Sequence, residues 1–353
     1  MIKKNDKPIE ARSASNQEET KKVNTLSKSA KSSMVTRILS AIGIVAVIVP
    51  AVFLGDWIYF GVMSILLGIA CWEILGCIQK RTFVIFIIYF AFLLAIAYWP
   101  IFRTLAKEGM QEYRIDTYYN SIYLPIIMIA FGMFFLFYLT VLYKDFTIQD
   151  ATFLITMGIL IGLGFQCLLY LRFITNSAFG LVNQKSWVYD VENTFKASLL
   201  LLFVFLATVL TDTGAYFVGV FFGKHKMNER VSPKKTWEGF FGGLAVSFLL
   251  SSAIGLISAA AGFPILPWFD IEHFYYILIL SFLLPLFATL GDFVFSSIKR
   301  YWGIKDYGKL IPGHGGVLDR LDSIFFASII SAVLVFMVIA IEQNSFDWGS
   351  FLV

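Results

Sequence analysis

The residues best suited to chemistry crowd into one stretch of this chain, Gly291 to Ser323. Asp292, Ser296, Lys299 and Arg300 come first, at helical spacing. Lys305-Asp306 follows, and then Ile-Pro-Gly-His-Gly-Gly-Val-Leu-Asp-Arg-Leu-Asp-Ser runs from Ile311 to Ser323. Asp319 and Asp322 stand three apart, so they share one face of a helix. The turn Pro312 to Gly316 folds tightly enough for two helix ends to bring Asp292 against Asp319. Carboxylates opposed in this way repel each other. With Lys299, Arg300, Lys305, Lys309 and Arg320 around them, they make sense when a hard divalent cation and phosphate groups fill the gap. The plain alternative is a charged loop with helix caps, and the coincidence of so many unusual residue types speaks against it. These carboxylates are expected at a wet pocket rather than in the packed interior.

Two earlier segments share this polar character. Thr211-Asp212-Thr213-Gly214-Ala215-Tyr216 interrupts a long apolar run. An acidic residue inside a membrane helix costs at least about 2.5 kcal/mol unless it is paired or solvated. Asp212 is therefore expected to face a partner or a wet cavity, with a helix-packing hydrogen bond beside Gly214 and Gly219 as the other reading. Next, Lys224-His225-Lys226 leads through Arg230 to Ser232-Pro233-Lys234-Lys235-Thr236-Trp237-Glu238-Gly239. Hydroxyls, cations and a helix start in one place suit phosphate oxygens. Taken alone, the same cations would equally serve as an orientation signal or an anionic-lipid contact.

The elements that must position these residues follow from composition. Of 353 residues, 58% are hydrophobic and 15% charged, with a mean hydropathy of +0.75, whereas a soluble chain carries about 25% charged residues. The solvent of most of this chain must be lipid, where only helices or closed barrels satisfy the backbone. Unbroken apolar runs such as Ser198–Leu210 and Phe274–Leu290 indicate helices, at roughly 20 residues per span, rather than alternating strands. An all-α polytopic membrane protein of about nine spans is predicted, at 36–54, 57–78, 82–102, 121–143, 151–172, 197–222, 238–260, 273–296 and 323–342. A polar, disordered cytoplasmic tail over 1–35 precedes five N-terminal spans within 36–196. A catalytic region follows over 197–353, with cytoplasmic loops at 223–237 and 297–322. The tail is expected to be dispensable for catalysis. The first apolar run, starting near Ile38, is too long for a signal-peptide core. Cys71, Cys77 and Cys167 lie in or beside apolar runs without a CxxC pair and read as buried small hydrophobes.

Orientation follows from the positive residues. With the N-terminus inside, only Arg103, Lys107, Arg114, Arg172, Lys185 and Lys196 of the 28 Lys and Arg fall on the opposite side. The bias keeps its direction when the tail is left out. The polar segments then meet at the cytoplasmic ends of the sixth to ninth spans. No strict repeat relates the spans, so an inverted-repeat transporter is not suggested.

The long C-terminal element resembles that of the phosphatidate cytidylyltransferases, or CDP-diacylglycerol synthases. The residues that carry the likeness are Ser296/Ser297-Ile298-Lys299-Arg300, Lys305-Asp306 and Pro312-Gly313-His314-Gly315-Gly316-Val317-Leu318-Asp319-Arg320-Leu321-Asp322. Asp212 to Tyr216 and Ser232 to Gly239 match further family elements upstream. The strong likeness covers about residues 205–325 and is highly specific. The earlier spans match only as generic membrane helices, and Lys309 is an additional cation.

The resemblance implies attack of a phosphatidic acid phosphate oxygen on the α-phosphorus of CTP, giving CDP-diacylglycerol and pyrophosphate. It implies Mg²⁺ held by Asp292 and Asp319, with K⁺ as a candidate second cation. Lys299, Arg300, Asp322 and His314 join those two as catalytic candidates. His314 has a turn-stabilising role as its alternative. Asp212, Ser232, Lys234, Lys235, Thr236, Glu238, Ser296 and Arg320 are the substrate-binding candidates. Expected partners are CTP, phosphatidic acid and membrane lipid, with no nucleic acid, and the oligomeric state is left open, a homodimer included. The expected location is the cell membrane, multi-pass, with the active site facing the cytoplasm. A CTP-dependent polyprenol or phytol kinase and a membrane cation transporter are the competing readings. The complete Pro-Gly-His-Gly-Gly element argues against the kinase, and the clustered basic loops argue against the transporter.

Overall fold

The structure, a computed structural model, describes residues 28–78, 82–109, 117–178, 191–313 and 315–342. Nine helices run through those residues: α1 (Lys28–Leu54), α2 (Asp56–Leu75), α3 (Phe83–Gly109), α4 (Thr117–Leu142), α5 (Ile148–Ala178), α6 (Val191–Phe222), α7 (Trp237–Ala260), α8 (Phe274–Tyr301) and α9 (Leu318–Glu342). Each overlaps one predicted span, although α1 begins eight residues before its span, within the segment expected to be a disordered tail, and α3 runs seven residues past its own; residues 1–27 of that tail lie outside the described residues. Among the described residues, six stretches are long and apolar enough to cross a membrane: Ile58–Leu75, Ile148–Ile174, Ser198–Phe222, Trp237–Ala260, Phe274–Tyr301 and Leu318–Glu342. Ile42–Leu54, Phe83–Tyr98 and Ile126–Leu142 are shorter apolar helical stretches. Large apolar side chains such as Ile65, Phe83, Val141, Leu249 and Ile257 point outward, an arrangement that water would penalise and lipid accepts. The chain is an all-α polytopic membrane protein.

Local sequence sets several helix starts. Thr147 and Asp150 form a reciprocal cap on α5: the Thr147 N–H donates to Asp150 Oδ2 at 2.9 Å, and the Asp150 N–H donates to Thr147 Oγ1 at 3.2 Å. Thr236 caps α7 by accepting the Gly239 N–H at 3.1 Å. The 223–237 loop holds a short antiparallel hairpin, β1 (Lys226–Asn228) and β2 (Ser232–Thr236), which the periodicity does not reveal. Its cause is local. Asn228 Oδ1 accepts the N–H groups of Arg230 and Val231 and closes the turn, and Pro233 pushes Ser232 toward an extended backbone.

α6 and α7 form one closely packed pair. A Cβ added at Gly243 would stand 2.7 Å from the Thr211 carbonyl oxygen, and one at Gly239 would stand 2.8 Å from that of Ala215. The two backbones therefore touch, which only small residues allow. α8 packs along α9, and Phe325 of α9 meets Phe165 of α5 and Phe295 of α8 at ring-centroid distances of 5.3 and 6.1 Å. These two pairs place the polar ends of α6, α8 and α9 and the hairpin beside one another.

Candidate functional site

The site starts from one buried cation. Lys299, near the C-terminal end of α8, is buried. Its Nζ donates to Asp319 Oδ1 at 2.9 Å, lies 3.8 Å from Asp322 Oδ2, and stands 5.5 Å from the Tyr307 ring centroid. An ammonium removed from water in this way is tolerated only with such partners. Asp319 and Asp322 are buried as well, at 9% and 7% exposure. α9 begins five residues before the predicted span, at Leu318 rather than 323, so both acids lie in its opening turns. The expectation of a wholly wet pocket is corrected for these two: they sit where the α8–α9 packing ends. Asp319 Oδ2 also accepts the N–H groups of Tyr307 (2.9 Å) and Gly316 (3.0 Å). Burial pushes the Tyr307 phenol well above its ordinary range, and its hydroxyl donates to the Phe295 carbonyl at 3.3 Å.

A second, more open group borders the first. Half-buried Asp292 accepts from Ser296 Oγ at 3.1 Å and pairs with Lys235 of β2. The Lys235 Nζ also stands 4.3 Å from the Phe293 ring centroid. Asp322 Oδ1 accepts its neighbour's N–H, from Ser323, at 2.8 Å. Asp212, Asp292 and Asp322 are close enough to interact electrostatically, with Lys235 and Arg320 opposing the charge of Asp212 and Lys299 that of Asp322. Asp212 reaches the molecular surface and stays within range of charges from α8, α9 and β2.

The remaining predicted residues divide. Lys234 is exposed and Ser232 half-buried on β2. Thr236 is buried as the α7 cap. Glu238 accepts the backbone N–H groups of Lys224 and His225 and pairs with the His225 ring, so it clamps the hairpin to α7. Arg300 donates from Nε to the Val231 carbonyl and from Nη1 to that of Ile304, each at 3.3 Å, tying the hairpin to the end of α8. Arg320 is exposed and opposes Asp212. His314 lies outside the described residues. One participant escaped the sequence reading: Glu73 of α2, whose carboxylate accepts from the Val317 and Leu318 N–H groups at 2.8 and 2.9 Å. Its signal was available, since it is the only acidic residue within the second predicted span.

Whether these side chains suit a magnesium ion is a matter of acceptor capacity, at about four lone-pair positions per carboxylate. Asp319 gives three to Lys299, Tyr307 and Gly316, Asp292 gives two to Ser296 and Lys235, and Asp322 gives two to the N–H and hydroxyl of Ser323, with the Lys299 ammonium farther off at 3.8 Å. Spare capacity is thus greatest at Asp292 and Asp322. Among the described residues no three His, Cys, Asp or Glu side chains gather closely enough to enclose a metal by themselves. Magnesium commonly takes one or two carboxylates and completes its shell with substrate phosphates and water, so the donor set fits.

A membrane-embedded helical bundle with carboxylates and cations interleaved at one end of α6, α8 and α9 defines the general class of this molecule. The particular family is established by comparison: residues 35–338 match the model of the cytidylyltransferase family, and the chain belongs to it. Similar curated proteins are named phosphatidate cytidylyltransferase. The one from Staphylococcus saprophyticus is 37% identical over 188 residues, covering 53% of this chain and 60% of that protein. One from Staphylococcus epidermidis is 35% identical over 189 residues, with the same coverages. One from Staphylococcus haemolyticus is 42% identical over 129 residues, covering 36% of this chain and 45% of that protein. The matched region spans about 60% of the length of the first two relatives.

Proposed function

We propose that this chain transfers the cytidylyl group of CTP to phosphatidic acid, forming CDP-diacylglycerol and pyrophosphate, with its site at the cytoplasmic face of the cell membrane. The observation that carries this reading is the meeting of Asp292, Asp319 and Asp322 with Lys235, Lys299 and Arg320 at one end of the bundle. Family membership and the names of the relatives support the same reading.

The reaction joins two polyanions. A phosphate oxygen of the lipid forms a bond to the α-phosphorus of CTP, and the bond from that phosphorus to the oxygen bridging to the β-phosphate breaks, releasing pyrophosphate. The attacking oxygen is already anionic, so no strong base is required, and alignment and charge neutralisation dominate. Asp292 and Asp322, with Asp319 behind them, would hold Mg²⁺, with K⁺ proposed as the second cation. Mg²⁺ bound there would neutralise triphosphate oxygens and the departing pyrophosphate. Lys235 and Arg320 would meet phosphate oxygens, a role supported by their opposing the charge of Asp212. Lys299, at 2.9 Å from Asp319 and 3.8 Å from Asp322, would hold the two acids in register. Arg300 and Glu238 keep the hairpin, and with it Lys235, against α8.

Supplying CTP and phosphatidic acid to the purified protein, with Mg²⁺ and K⁺ varied independently, tests the proposal. Pyrophosphate and CDP-diacylglycerol are expected. Release of CDP would identify a kinase instead, and absence of both products would remove the enzymatic reading. The orientation has its own test, impermeant labelling of a His225→Cys variant in intact cells. Protection is expected, and rapid labelling would reverse the topology.

A further inference from the structure

We propose that Glu73, in the N-terminal half of the chain, is a positioning residue for the site, setting the geometry from which Asp319, Asp322 and Lys299 act. Three consecutive N–H groups at the start of α9 are taken by two carboxylates. Gly316 donates to Asp319 Oδ2 at 3.0 Å, Val317 to Glu73 Oε1 at 2.8 Å and Leu318 to Glu73 Oε2 at 2.9 Å. Those of Val317 and Leu318 are among the unpaired N–H groups that every helix start presents, aligned with the positive end of its dipole. Capping by nearby residues is the ordinary solution; here half of the cap comes from a side chain more than 240 residues away.

Two further features show that the surroundings are shaped to this carboxylate. A Cβ added at Gly308 would stand 2.4 Å from Glu73 Oε1, and one at Gly316 would stand 2.5 Å from the same atom. Both glycines belong to the polar loop between α8 and α9, so the loop leaves room for Glu73 by lacking side chains there. Glu73 itself is buried, at 5% exposure. A buried carboxylate without its hydrogen bonds is strongly disfavoured, so the loop and α2 hold each other in one arrangement. α1 makes a companion contact, Ser40 Oγ donating to the Pro312 carbonyl at 3.2 Å. The path from Glu73 to the chemistry is short: the backbone at 316–318 carries Asp319 directly, and Asp319 fixes the ammonium of Lys299 that also faces Asp322.

The inference rests on the metal and substrate reading above, and the experiment separates the two. The full chain in detergent is compared with Glu73→Gln, which keeps the size of the side chain but turns one acceptor into a donor facing an N–H group. For a positioning role, turnover should fall by about 10–100-fold, as loss of a partner behind a metal ligand commonly does. The Mg²⁺ concentration for half-maximal activity should rise and KM for CTP should change little. A folded variant with wild-type turnover and Mg²⁺ response would overturn the proposal, leaving Glu73 as a fold anchor only. Gly308→Ala provides a second arm, because it displaces the Glu73 carboxylate without changing any charge. The same combination of effects is expected, and failure of both variants to fold would also assign Glu73 to the fold alone. Asp292→Asn is measured alongside. If it keeps a wild-type Mg²⁺ response, the metal reading fails, while a turnover loss at unchanged KM in Glu73→Gln would still stand.

Discussion

Asp319 and Asp292 stand on two neighbouring helices, α9 and α8, and they live in different surroundings. Asp319 is buried, and three of its acceptor positions go to Lys299 and to the backbone at Tyr307 and Gly316. Asp292 is half-buried, pairs with a lysine on the hairpin, and shares its field with Asp212 and Asp322. One carboxylate therefore organises the chain, and the other keeps more of its acceptor capacity free of the fold. The lesson is that an acidic motif can contain its own scaffold: similar side chains serve shape or ligand according to how many of their lone pairs the fold has already used.

The largest expected effect lies on the open side. Asp292→Asn keeps the shape and removes one negative ligand, and turnover at saturating CTP should fall by at least about 10²-fold, the scale of losing one element of electrostatic stabilisation. Its thermal stability should stay close to wild type. Near-normal turnover with an unchanged Mg²⁺ requirement would remove Asp292 from the site. Asp319→Asn should show a turnover loss of similar size but a different companion effect. It leaves the buried Lys299 ammonium without its nearest anion, so stability should drop by about 3 kcal/mol, the low end for breaking a buried pair, because Asp322 stays 3.8 Å away. Thermal inactivation in detergent distinguishes the two variants. Equal melting behaviour would dissolve the contrast between scaffold and ligand.

Much of this arrangement was legible in the residues. The nine helices among the described residues could be read because each contains an apolar run, long in six and shorter in three, and lipid leaves few other structures. Asp292, Lys299, Asp319 and Asp322 could be picked out because charged residues at helical spacing in so apolar a chain need partners. What escaped depends on tertiary pairing. Glu73 sits alone in an apolar span, and its partners are backbone N–H groups of Val317 and Leu318, which carry no sequence signature. The same rule that singled out Asp212 applies to it without change. Thr236 and Glu238 are substrate-binding candidates and Arg300 a catalytic candidate by the resemblance, because charged and hydroxyl side chains in the family's motifs suit a polyanionic substrate site. The structure engages all three in holding the hairpin, a use that spacing alone does not separate from ligand binding. The hairpin itself is too short for a periodic signal and rests on Asn228 and Pro233.

The adjacent lysines of β2 offer the sharpest small test of the same comparison. Lys234 and Lys235 have equal charge and neighbouring positions, but strand geometry turns successive side chains to opposite faces. Lys235 is half-buried, pairs with Asp292 and lies over the Phe293 ring, whereas Lys234 is exposed. Removing the Lys235 ammonium leaves Asp292 within the field of Asp212 and Asp322 with one opposing cation fewer. Lys235→Ala should therefore reduce turnover by about tenfold, equivalent to 1.4 kcal/mol. An exposed cation acts through water and salt, at about 1 kcal/mol or less, so Lys234→Ala should change turnover by no more than about fivefold. That smaller effect should shrink further as ionic strength rises, because screening acts on exposed charges first, while the Lys235 effect should persist. The measurement is turnover of both variants at low and high salt. If the two lysines prove equally sensitive, charge density at the hairpin matters more than the pairing with Asp292, and the distinction between the paired and the exposed cation fails at this point.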